Sequence, residues 1–108
     1  MAFKITQRPT FKALVEVYTP NDKCGHDLSK FTAVFKRIDT DELDKLRKIP
    51  AKDVMRAVLV GWEDFNDQDN SPVPYNEEML EVLIKVPEAL VGLGVAFWNN
   101  IIKAREGN

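Results

Sequence analysis

The sequence predicts an α+β fold, with an N-terminal antiparallel β-hairpin at about 11–18 and 31–38 followed by about four α-helices at about 41–48, 51–64, 77–86 and 88–105. Three observations carry this. Apolar and polar residues alternate on either side of a turn-rich stretch in the N-terminal third. Beyond residue 39 the apolar positions recur every three or four residues instead. Prolines and carboxylates then stand where helices begin and end. At 108 residues the chain can bury one hydrophobic core and not two, so residues 1–108 are expected to form a single domain.

Each element has its own warrant. Met1 to Gln7 places Phe3 and Ile5 against Lys4 and Thr6, a pattern open to an edge strand or a loose terminus. From Phe11 to Tyr18 the alternation is clearer, with Phe11, Ala13, Val15 and Val17 on one face and Lys12, Leu14, Glu16 and Tyr18 on the other. The next twelve residues, TPNDKCGHDLSK, gather turn formers and predict a loop. Phe31, Ala33 and Phe35 then alternate with Thr32, Val34 and Lys36, completing a hairpin with an aromatic inner face.

Asp39 and Glu42 have the spacing of a capping box, and Leu43, Leu46 and Ile49 supply the buried edge of a short helix ended by Pro50. In the following helix Val54, Ala57, Val58, Gly61, Trp62 and Phe65 form an apolar stripe opposite Lys52, Arg56 and Glu63. Gly61 in that stripe implies a close backbone approach or the helix's last turn. Glu63 to Glu81 carries seven acidic residues and no basic one, with Pro72 and Pro74 in the middle: a surface loop leading into a helix. Asn76 is placed to cap that helix, Glu77 and Glu78 suit its positive end, and Met79, Leu80, Leu83 and Val86 line its inner side until Pro87.

The last helix is apolar over roughly 200° of its circumference at 100° per residue. With Leu90, Leu93, Phe97 and Ile101 turned to the core, Val91, Val95, Trp98 and Ile102 are left for a partner or for a second copy of the chain. The competing arrangement is a central helix wrapped on all sides by the hairpin and the other helices. Exposure along this helix separates the two.

Composition narrows the function classes. A formal charge of −2 provides no general basic field for nucleic acid or an anionic membrane. Residues 1–56 carry twelve Lys or Arg against eight Asp or Glu, and residues 57–108 three against nine, a polarity suited to head-to-tail docking or to a basic sheet against acidic helices. The single cysteine, Cys24, forms no intrachain disulfide and fits a reducing compartment. The N-terminus lacks the apolar segment of a signal peptide, and the run from Val86 to Trp98 falls short of the ~20 residues of a membrane span. A cytoplasmic protein without cofactor is expected.

Candidate chemistry is sparse. Cys24 and His26, with Asp22 and Asp27 nearby, are too few for zinc and read better as a polar hairpin loop. Asp67, Asp69, Ser71 and Glu78 match part of a calcium-loop template, but Pro72 stands where the sharp turn requires glycine. No serine lies in a nucleophile elbow and no glycine-rich phosphate loop is present, so catalysis is not expected. Lys12, Lys30, Lys36 and Arg37 near Phe31 and Phe35 hint at nucleic-acid binding, but Glu16, Asp22, Asp27 and Asp39 cancel the field.

The stretch VLVGWEDFNDQDNSPVPYNEEMLEVLIKVPEALVGLGVAFWNNI resembles the tail assembly chaperones of long, flexible-tailed bacteriophages and their prophage relatives. Gly61-Trp62 and PVPYNEE are its most distinctive motifs, and FTAVFKRIDTDELDKL upstream is compatible. In that family a hydrophobic helix ends in a Gly-Trp pair, followed by an acidic turn, a proline-bearing link and an apolar final helix. The resemblance implies a non-enzymatic protein that binds the tape-measure protein, keeps it dispersed and brings tail-tube subunits to it in the host cytoplasm. A small phage or bacterial regulatory adaptor docking through the same C-terminal helix is the alternative.

Overall fold

A computed structural model describes residues 3, 5 and 8–106, with side chains placed through Ile101. The inner alternation of the hairpin strands is realised as β1 (Thr10–Pro20) and β2 (His26–Lys36), paired antiparallel in a register that puts Phe11 opposite Phe35, Ala13 opposite Ala33 and Val15 opposite Phe31. Both strands reach further toward the turn than expected, β1 to Pro20 and β2 from His26, so the twelve-residue loop shrinks to a tight turn, while β2 stops at Lys36 rather than 38. There Asn21 Oδ1 accepts the backbone N–H groups of Lys23 and Gly25, and Cys24 takes a left-handed φ of 62°. The outer ends of the ribbon bury little, which is why polarity alone read them as loop. Of the N-terminal pattern, Phe3 and Ile5 are exposed and outside any strand, and the remaining positions of Met1 to Gln7 lie outside the described residues.

Asp39 caps α1 (Thr40–Leu46) by accepting the Glu42 N–H at 2.9 Å, and Pro50 precedes α2 (Ala51–Val58). The helix expected over 51–64 stops at Val58. The chain turns extended and forms β3 (Leu59–Glu63) against β2, completing a three-stranded sheet of order β1-β2-β3. Gly61 pairs with Val34 and Leu59 with Phe35, so Val60 is an extra residue in a β-bulge. Gly61 is therefore in a strand rather than a helix's last turn, and a Cβ there would meet Val34 at an ordinary 3.6 Å. The reason is shared periodicity: Val58 to Trp62 satisfies both a helical stripe and an apolar strand, and the open edge of β2 decides.

Asn76 accepts the Met79 N–H at 2.8 Å to cap α3 (Glu77–Ile84), and Pro87 opens α4 (Pro87–Glu106). Replacing Asn76 by alanine should cost about 1 kcal/mol, a fall of about 4–8 °C in melting temperature; an unchanged melt would remove the cap from the account. Arg56 of α2 ties α3 down through two 2.8 Å bonds to Glu81, and it also reaches Asp53 at 2.8 Å. The bonds from Arg56 hold the Glu81 carboxyl below the usual carboxylate range.

All seven elements feed one hydrophobic core. At its centre Phe97 is fully buried, 5.3 Å from the Phe35 ring edge-on, 6.1 Å from Phe11 and 5.0 Å from Trp98. A second aromatic group joins Phe31 to Phe65 at 4.7 Å, Phe65 to Trp62 at 5.1 Å and Trp62 to Tyr75 at 4.9 Å. Among the described residues no helix is long and apolar enough to cross a membrane.

Candidate functional site

The β1-β2-β3 order leaves β1 at the edge of the sheet, and α4 runs along it. Gly92 allows the approach: a Cβ on that residue would lie 2.5 Å from the Glu16 carbonyl oxygen and 3.2 Å from Val15 Cγ1. Gly92 meets Glu16 while Phe97 stacks on Phe11, so the helix runs antiparallel to the strand. That direction sets Val91 toward Tyr18 and Val95 toward Leu14. Between the outward face of β1 and the solvent side of α4 lies an open groove of about 490 Å³.

Its apolar walls are Leu14 and Tyr18 from the strand and Val91 and Val95 from the helix, with relative exposures of 57%, 53%, 66% and 53%. These four large apolar side chains, gathered rather than scattered singly, make the groove the candidate site. The charged residues of the lining are Glu16 and Glu88, both carboxylates. Lys30 lies 3.9 Å from Glu16, a long and half-exposed contact.

The four helix residues expected to face a partner do not stay together. Val91 and Val95 line the groove, whereas Trp98 is half-buried against the core, 5.0 Å from Phe97 and under the Arg47 guanidinium at 5.4 Å. Trp98 instead borders a separate cleft of about 360 Å³ with Leu46, Arg47 and Val54. Ile102 belongs to α4, but its side chain lies outside those described. The helix is neither wrapped on all sides nor bare along its whole outer stripe: Leu93 and Phe97 are sealed, and the side facing the groove is open. Leu14 and Tyr18 complete the groove and were not singled out from sequence. Their signal was present, since both are large apolar residues at outward positions of an alternating strand.

The other candidates are accounted for locally. Asp22, Cys24, His26 and Asp27 are all exposed, and Asn21 Nδ2 donates to Asp27 at 3.1 Å. Asp67 Oδ1 accepts the backbone N–H groups of Asp69 and Ser71, which folds the acidic loop on itself. Among the described residues no three His, Cys, Asp or Glu side chains converge as metal ligands would.

The motifs that carry the family resemblance meet each other in space. Trp62 Nε1 donates to the Val73 carbonyl and the Tyr75 hydroxyl to the Leu59 carbonyl, both at 2.8 Å, so the proline-bearing link is stapled onto β3. Burial pushes the Tyr75 phenol above its ordinary pKa, with Glu77 adding to the effect. These residues position α3 and line neither the groove nor the Trp98 cleft. Comparison with protein-family models, with characterised proteins and with solved structures returned no match to this chain.

Proposed function

We propose that this protein is a non-enzymatic tail assembly chaperone of a long-tailed phage or prophage. In the host cytoplasm it would hold the tape-measure protein dispersed and bring tail-tube subunits to it. The observation that supports the reading is the groove between β1 and α4, where Leu14, Tyr18, Val91 and Val95 remain open to solvent beside a sealed core. A chaperone for a long helical partner needs such a face, because an apolar helix stripe is shielded by being laid into an apolar trough. The acidic segment from Glu63 to Glu81, which contributes no residue to the groove lining, would keep the loaded complex dispersed by like-charge repulsion.

Co-expression with a tape-measure protein tests this. The wild-type chain should co-purify with its partner and move it into the supernatant. Val91→Asp combined with Val95→Asp should reduce recovery by about tenfold or more, since two buried carboxylates without partners are costly at an apolar contact. Val82→Asp, on the exposed side of α3, should leave recovery unchanged. A tape-measure protein that stays insoluble beside the wild-type chain would sink the proposal.

A further inference from the structure

We infer that the β1–α4 groove selects a cationic amphipathic helix, apolar along one stripe and flanked by Lys or Arg. This rests on reading the groove as the docking surface. Shape favours a helix over a strand. A peptide strand would have to pair with the open edge of β1, but α4 already sits there, with Gly92 pressed against the Glu16 backbone. The trough follows α4 from Pro87 to Asn100, which at 1.5 Å per residue is roughly 20 Å, the length of three to four turns of a partner helix. Side chains at i, i+3 or i+4, and i+7 of that helix would enter between Tyr18 and Val91 at one end and between Leu14 and Val95 at the other.

Charge then chooses among amphipathic helices. Among the described residues the groove lining holds two carboxylates, Glu16 and Glu88, and no cation. Among the described residues Glu88 makes no ion pair, and Glu16 has only the loose 3.9 Å contact with Lys30. A partner bearing Lys or Arg beside its apolar stripe gains two ion pairs at the rim, while one bearing Glu meets like charge at both places.

The 108-residue chain can be titrated with two labelled helical peptides of about 16 residues, identical in their leucine stripe and differing only in lysine or glutamate flanks. The lysine peptide should bind about tenfold more tightly at low salt, with most of that preference lost near 0.5 M salt. Glu16→Gln with Glu88→Gln should bring the two peptides to within about threefold of each other. Leu14→Asp, or Val95→Asp in a chain whose circular dichroism is unchanged, should abolish binding of both. Equal affinity for the two peptides overturns the inference, as does a preference that survives the double Gln variant. Wild-type self-association that excludes the lysine peptide and is lost in Val95→Asp also overturns it, assigning the groove to a second copy. Tape-measure recovery is scored separately: retention of the tape-measure protein without charge preference defeats this inference alone, and charge preference without retention defeats the chaperone reading alone.

Discussion

Phe97→Ala should remove about 3–5 kcal/mol of folding stability, the largest loss expected from a single truncation in this protein. The ring is fully buried and packs on aromatic side chains from β1, β2 and α4 itself. Truncation leaves a cavity among residues held by a sheet and a helix that cannot both collapse inward, so the lost contacts are not recovered. Against the 5–15 kcal/mol typical of a domain, that loss brings the folded state close to its limit. Urea denaturation followed by tryptophan fluorescence would report it as a lower midpoint at unchanged slope. Phe97→Leu should lose far less, because most of the volume is kept. A midpoint shift for alanine no larger than that for leucine would show that Phe97 is not the packing centre.

The second large effect is a contrast between the two glycines that flank Leu93, Gly92 and Gly94. Gly94→Ala should stabilise the protein by up to about 1 kcal/mol, since nothing lies within 4 Å of a Cβ there and alanine is the better helix former. The same change at Gly92 should destabilise it by about 1–3 kcal/mol despite that propensity gain. The added methyl would sit 2.5 Å from a backbone carbonyl oxygen, and a strand backbone cannot swing aside as the end of a flexible side chain can. Relief requires α4 to lift from β1, which opens the core at Val15 and changes the groove at the same time. Gly92→Ala should therefore weaken partner recovery as well as thermal stability, whereas Gly94→Ala raises the melting temperature and leaves recovery intact. Equal stabilisation by both substitutions would mean that α4 does not press on the β1 backbone at Gly92.

The groove explains why a long apolar helix can be tolerated in a domain of this size. Among the described residues part of α4 is sealed by the core, part carries a tryptophan covered by Arg47, and the strip facing the outer side of β1 remains open. The most distinctive sequence motifs do different work. Trp62 and Tyr75 anchor the link before α3, and the residues that form the groove belong to no motif at all. A resemblance carried by Gly61-Trp62 and PVPYNEE accordingly bears on how the chain folds, and the proposed docking surface rests on its own chemistry.

The inner faces of β1 and β2 were readable from period-two alternation, because one side of each strand meets the core and the other does not. Asp39 and Asn76 marked helix starts because capping is a local bond between a side chain and the first turn, and Pro87 did so because its fixed φ and missing N–H suit the first helical residue. Val91 and Val95 were readable as surplus apolar surface, since a helix face wider than its core contact must project somewhere. Period and caps are properties of neighbouring residues, so the fold class, the hairpin's inner face and the exposure of Val91 and Val95 could be read locally. Only tertiary structure turned Leu59–Glu63 into a strand, drew Trp98 under Arg47 and brought Leu14 and Tyr18 across from α4. Each of those outcomes depends on a surface supplied by residues far away in the chain: the open edge of β2, the end of α1, and the strand backbone against which Gly92 closes.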